Sequence, residues 1–154
     1  MTSNHTTCIR RPDRRGERGT ALLEAAVTIP ILLLIAVGIF DFGRAYQTWQ
    51  VLTNAAREGA RVAVLPNMTV TAVQTRARDY MSSGQLTNVG TATIDVNRNA
   101  TIVVNGANVS ASQVTVQYPF SFIAMQPVAR LVNPNSGQSG NLTMVATALM
   151  RNEQ

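Results

Sequence analysis

The chain has 154 residues, enough for one modest domain together with a membrane segment. It carries 13 Arg and no Lys against 8 acidic residues, for a formal net charge of +5. Five of the Arg lie in the first 18 residues, and beyond residue 19 the balance is 8 Arg against 6 acidic residues, a net of +2. Binding of nucleic acid would need a basic stripe on the folded part. We therefore expect no nucleic-acid partner.

The residues that usually carry chemistry are scarce. Cys8 and His5 are the only residues of their types, and both lie in the polar N-terminal tail. This excludes an internal disulfide, a Cys/His metal cluster and a His-based catalytic triad. Asp79 and Asp95 are isolated carboxylates, which are typical of surface charges rather than of an acid–base pair. We therefore predict a protein that is not an enzyme, with no metal, no cofactor and no small-molecule substrate.

A basic leader, residues 1–19, precedes an apolar run over residues 20–40 whose single charge is Glu24. A helix of this length spans roughly 30 Å, the thickness of the hydrocarbon core of a bilayer. We predict a transmembrane helix over residues 20–42, in which Pro30 is tolerated. Because positive flanks stay in the cytoplasm, the N-terminus should be cytoplasmic and residues 43–154 extracytoplasmic, in a bacterial inner membrane. Asp41 and Arg44 stand where a signal-peptide cleavage site would need small residues, so we expect a retained anchor.

The junction between the leader and the apolar helix has a distinctive spacing. Gly19 ends the basic tail, and Glu24 is the fifth residue after it. This resembles the leader junction of type IV pilins and pseudopilins, which implies cleavage between Gly19 and Thr20 by a prepilin peptidase, although Thr20 departs from the usual Phe or Met.

A role for Glu24 follows from electrostatics. A carboxylate in a membrane helix costs about 2.5–3.5 kcal/mol at the bilayer centre. The new ammonium at Thr20 would lie one turn away and could neutralise it, within the subunit or between neighbours. The alternative is a glutamate that only snorkels to the interface.

Residues 43–66 are predicted to continue the helix beyond the membrane. This segment has small residues at steps of three and four, which allow another helix or a sheet to approach closely. Core packing is the default for this row, ahead of a specific partner site. The residues are Ala55, Ala56, Gly59, Ala60 and Ala63.

Together these features resemble a known family. They are Arg18-Gly19 before a helix with Glu24 and Pro30, the run GIFDFGR over residues 38–44 and the run AAREGAR over residues 55–61. The set, within residues 18–66, is similar to the TadE-like family of Flp/Tad pilus assembly, minor pilin-like proteins of the tight-adherence secretion system. The resemblance implies a single-pass protein that takes part in pilus biogenesis. The implied partners are the inner membrane, the prepilin peptidase, other Tad pilus subunits and the assembly platform.

A different interpretation stays open. A membrane-anchored extracytoplasmic binding domain unrelated to pili would share the same anchor, and the middle of the chain carries no motif that matches a family.

The ectodomain is predicted to be α+β. Residues 69–83 have helical periodicity and end at Gly84. Four segments alternate as strands do, over residues 91–96, 101–104, 114–118 and 142–150, with a hairpin turn at Asn97-Arg98-Asn99. We therefore expect an antiparallel sheet of about four strands packed on the long helix. The apolar segment 120–132 could lie in the core, on the membrane or against a partner, with the core as default.

Overall fold

The computed structural model describes residues 14–123 and 141–152, and side chains from residue 19 onward. It has two helices, one 3-10 turn and one antiparallel sheet, so the predicted α+β class is confirmed. The chain divides into two compact units, Met1–Val37 and Gly38–Gln154. The elements in chain order are α1 (Arg14–Ala63), α2 (Val70–Ser83), the 3-10 turn (Val89–Thr91), β1 (Thr93–Val104), β2 (Ala107–Ser121) and β3 (Asn141–Arg151).

The apolar part of α1 is not covered by the rest of the described chain. Its large side chains are mostly exposed, and the helix runs on through Pro30. Among the described residues, one helix is long and apolar enough to cross a membrane, and it is this one. The predicted long apolar N-terminal helix is thus confirmed.

Helix α2 has the caps that its sequence predicts. The Oγ1 atom of Thr69 accepts a hydrogen bond from the N–H of Ala72 at 3.1 Å, and the N–H of Gly84 donates to Tyr80 O at 2.9 Å. Val73, Ala77 and Met81 recur every four residues and are all buried. One face of α2 therefore enters the core.

The sheet has the order β1-β2-β3, and most of its buried residues belong to the central strand, β2. Side chains of a strand alternate between the two faces, and from Ser112 to Phe120 the even-numbered residues of β2 point inward. The helices pack on that face, as the neighbours of Gly59 show: a Cβ built there would lie 3.2 Å from Val114 and 3.5 Å from Ala77. The buried even-numbered residues of β2 are Ser112, Val114, Val116, Tyr118 and Phe120.

The prediction of four strands is wrong, because the described residues form three. The two segments predicted at 91–96 and 101–104 belong to one strand, β1. Asn97-Arg98-Asn99 is not a hairpin turn but an irregularity at which the pairing register shifts. The hairpin lies at Asn105-Gly106, where φ is +51° and +80°. Asn-Gly favours a two-residue turn with both residues in the left-handed region, which matches the twist of the strands.

Some predictions concern residues outside the described part of the chain. The undescribed parts are residues 1–13, which are most of the leader and include His5 and Cys8, and residues 124–140. The second part includes most of the apolar segment 120–132. Of that segment, Phe120 is buried, Phe122 is half-buried and Ile123 is exposed.

Candidate functional site

The predicted cleavage junction lies inside α1, on an exposed stretch. Gly19, Thr20 and Glu24 are all exposed among the described residues, and a Cβ built on Gly19 would meet nothing within 4 Å. The hydroxyl of Thr28 donates to the backbone carbonyl of Glu24 at 2.8 Å, so this hydrogen bond does not involve the Glu24 carboxylate. Cleavage after Gly19 and charge neutralisation at Glu24 stay predictions.

The row of small residues lies in the core of its own unit. Gly59 faces Val73, Ala77 and Val114, with side-chain atoms 3.2–3.7 Å from a built Cβ. The absence of bulk on this face of α1 therefore lets α2 and β2 approach the helix closely. Every member of the row is buried: Ala55, Ala56, Gly59, Ala60 and Ala63.

A charged pair sits where the predicted transmembrane segment ends. Asp41 is only 4% exposed, and the Nη1 atom of Arg44 lies 3.7 Å from its Oδ1 atom. The backbone N–H of Ile123 donates to the same Oδ1 at 3.3 Å. A buried carboxylate is tolerated when it is paired and hydrogen-bonded, and here the end of β2 supplies part of that pairing.

Arg44 connects the helix to aromatic residues of the strand end. Its Nη2 donates to the carbonyl of Ser121 at 2.7 Å, and its guanidinium carbon lies 4.9 Å from the centroid of the Phe120 ring. The ring of Phe122 meets Phe120 edge-on, with centroids 5.2 Å apart, and meets Phe42 at 6.2 Å.

These contacts form one group, which we name the boundary cluster. The sequence marked its helical half as part of a motif but did not reveal its strand half. The cluster consists of Asp41, Phe42, Arg44, Phe120, Phe122 and Ile123, with the carbonyl of Ser121.

A cleft of about 530 Å³ lies beside the boundary cluster, between α1, the loop after α2 and the end of β2. Among the described residues that line it, Arg44 and Tyr118 are the only ones with ionisable side chains, and the hydroxyl of Tyr118 donates to the carbonyl of Thr87. Acid–base or nucleophilic catalysis needs a paired base or nucleophile, which this lining does not offer. The cleft therefore gives no support to a catalytic role.

Other titratable groups of the described chain are dispersed. No group of three or more His, Cys, Asp or Glu side chains is close enough to hold a metal ion in residues 14–123 and 141–152. Asp79 and Asp95 are both exposed, on α2 and β1.

An ion pair links α1 to α2. The Nε and Nη2 atoms of Arg76 both donate to Glu58 Oε1, at 3.2 and 2.7 Å. The hydrogen bond from Arg76, with the positive charges of Arg76 and Arg61, lowers the pKa of Glu58, against a smaller opposing effect of burial. The same bond raises the pKa of Arg76.

Comparison with known proteins finds one family. The sequence model of the family described as TadE-like protein matches residues 19–61. The resemblance read from the sequence is confirmed over that segment, which includes Gly19, Glu24, the helical half of the boundary cluster and most of the small-residue row. No match is found among curated proteins or solved structures.

Proposed function

We propose that this chain, whose residues 19–61 match the TadE-like family, is a pilin-like membrane protein that takes part in Flp/Tad pilus biogenesis. One helix anchors it in the bacterial inner membrane, with the N-terminus in the cytoplasm and residues 43–154 outside. It acts by helix-mediated assembly with other pilus subunits and the assembly platform, not by catalysis. The observation that carries the proposal is an exposed apolar helix that begins with Gly19 and holds Glu24 inside the family match.

The exposure of the helix supports the membrane anchor. Large apolar side chains from Leu22 to Phe40 stay exposed around the whole circumference of α1. A helix that is apolar all round is typical of a lipid environment, and an apolar patch of this size is rare on a soluble monomer. The helix therefore needs lipid, or the apolar helices of neighbouring subunits, to cover it.

The position of the carboxylate supports assembly. Glu24 is the one charged side chain between Thr20 and Phe40, and it lies four residues from the amino group that cleavage would create. An intramembrane carboxylate marks a functional site by default because its insertion is unfavourable without a partner. The partner that we propose is the ammonium of a processed subunit.

Intact mass of the membrane-purified protein tests the proposal. We expect a chain that starts at Thr20 from cells with an active prepilin peptidase, and the full-length chain from cells in which the peptidase is inactivated. Gly19→Leu should block processing, whereas Gly16→Leu, the matched change three residues upstream, should leave it intact.

Two results would contradict the proposal. A full-length, membrane-bound chain in cells with active peptidase, together with normal piliation after its deletion, would favour the anchored binding domain. A protein that is released from membranes without detergent would exclude the anchor itself.

A further inference from the structure

The boundary cluster exposes apolar side chains beside a carboxylate that it keeps buried. Ile123 is 70% exposed and Phe42 is 64% exposed, whereas Asp41 is buried and paired. The neighbouring Phe40 is exposed as well. The exposed surface of the cluster is therefore largely apolar, and the side chain of Arg44, which is 38% exposed, is its charged group.

Three contacts fix the end of β2 beside the helix. The N–H of Ile123 is bonded to Asp41, the carbonyl of Ser121 is bonded to Arg44, and the ring of Phe122 packs on Phe42. Ser121, the last residue of β2, and the two residues after it therefore lie at the same level along α1 as residues 41–44.

That level is the edge of the predicted transmembrane segment. The apolar run ends at Phe40, so the helix enters lipid directly N-terminal to Asp41. Aromatic rings are favoured at the junction of acyl chains and headgroups. A bare carboxylate at this depth would be unfavourable, and pairing Asp41 with Arg44 and the Ile123 N–H removes that cost.

We propose that residues 121–123 lie in the headgroup layer of the membrane, with the side chains of Ile123 and Phe42 directed to lipid. The occupant of this surface is lipid because the surface is continuous with the apolar helix that the proposed function places in the bilayer. The inference rests on that anchor. Its consequence is that the globular unit touches the membrane through its sheet as well as through α1.

Spin labels on the full chain in liposomes test the proposal. In a Cys8→Ser background, a nitroxide is attached at Ile123→Cys or at Val103→Cys. These two positions are matched, since both are branched apolar residues with 70% and 71% exposure. Collision rates with oxygen, which partitions into lipid, and with a water-soluble nickel chelate give the depth of each label. We expect the Ile123 label to favour oxygen several-fold over the Val103 label.

A third label at Leu33→Cys separates the inference from the proposed function. One outcome would overturn the lipid contact and leave the anchor standing. In it, the Leu33 label is shielded from the nickel chelate, whereas the Ile123 label is as accessible to the chelate as the Val103 label. An accessible Leu33 label would contradict the anchor. An immobilised Ile123 label shielded from both reagents would mean that protein, not lipid, covers this surface, and would also overturn the inference.

Discussion

Gly84 shows how one residue controls the packing of α2 on α1. A Cβ built on it would lie 2.5 Å from Val51 Cγ1 and 2.8 Å from Val51 Cγ2. The φ angle of Gly84 is −77°, so the restriction comes from contact and not from backbone conformation. We expect Gly84→Ala to destabilise the globular unit by about 1–3 kcal/mol, the usual effect of overpacking. Denaturation in detergent, followed by the fluorescence of Trp49, measures it.

Two further variants isolate the contact. Gly90→Ala is the matched control because nothing lies within 4 Å of its built Cβ, and we expect a change within about 0.5 kcal/mol. Val51→Ala removes the colliding methyl groups, so the double variant with Gly84→Ala should lose less stability than the two single changes added together. Equal effects of Gly84→Ala and Gly90→Ala would contradict the close approach.

The ion pair of Glu58 with Arg76 should make the stability of the fold depend on pH. Its pKa is lower in the folded chain, chiefly because Arg76 donates a hydrogen bond to the carboxylate. The bond therefore stabilises the fold at pH values above the ordinary pKa of 4.5, and this contribution disappears as the pH falls through the folded pKa. We expect Glu58→Gln to lower the unfolding midpoint at neutral pH, with a difference from the unchanged protein that shrinks in acid. Asp95→Asn, a change at an exposed carboxylate, should show no such trend; an equal trend would contradict the assignment.

At the scale of elements, the sequence predicted α2 almost to the residue, since its apolar period lies within the element and Gly84 directly follows it. The strands were harder to place. Three polar residues at 97–99 have the composition of a turn, although Asn105-Gly106 is the stronger signal for a two-residue hairpin. Arg98 lies in the irregular stretch of β1, and its partner Ala63 is 35 residues away in the chain, which local sequence does not reveal.

Arg98 caps the C-terminal end of α1 from across the core. Its guanidinium donates to the carbonyls of Ala63, at 2.8 and 3.2 Å, of Leu65 at 3.0 Å, and of Met68. The last carbonyls of a helix lack partners within it and carry partial negative charge, which a cation satisfies.

Loss of this cap should be measurable. We expect Arg98→Met to destabilise the globular unit by about 2–3 kcal/mol, in the range of hydrogen bonds to charged groups. Arg98→Lys should lose less stability than Arg98→Met, because lysine keeps the positive charge although it has fewer hydrogen-bond donors than arginine. Arg151→Met, at an exposed arginine of β3, is the control for loss of charge alone. Denaturation curves compare the three variants, and an Arg98→Met curve that coincides with Arg151→Met would exclude the cap.

The boundary cluster marks the limit of sequence-based prediction. Its helical half, residues 41–44, stood out as a motif, but its strand half had only an apolar composition. Asp41 and Ile123 are 82 residues apart, and no local periodicity connects them. Only the tertiary fold shows that Ile123, just after β2, completes the pairing of a carboxylate at the edge of the predicted transmembrane segment.

For the whole molecule, the carboxylates near the two ends of the apolar stretch differ in their surroundings. Asp41 is paired by the globular unit, whereas Glu24 is exposed in the described chain. If assembly supplies the partner of Glu24, then removing its charge should affect assembly and leave the fold and the anchor unchanged. The stability of the purified monomer gives no information on this point, so the test must measure pilus assembly.

We expect Glu24→Gln to reduce the yield of sheared pili at least roughly tenfold, since a loss of about 1.4 kcal/mol at one subunit contact lowers its equilibrium constant tenfold. Membrane insertion and cleavage after Gly19 should be unchanged. Thr28→Val is the matched control: it lies one turn further along α1 and loses only a bond to the Glu24 carbonyl. Normal piliation by Glu24→Gln would mean that the carboxylate only snorkels.

A double variant tests the partner directly. The ammonium at Thr20 exists only after cleavage, about 6 Å along the helix axis from Glu24 at 1.5 Å per residue. In an uncleaved Gly19→Leu chain that ammonium is absent, so the Glu24→Gln change should add no further loss of assembly. A non-additive pair of this kind indicates a shared interaction. The comparison requires that Gly19→Leu alone still leaves detectable pili. If the losses of pili from the two changes are then fully additive, Glu24 acts on something other than the new N-terminus.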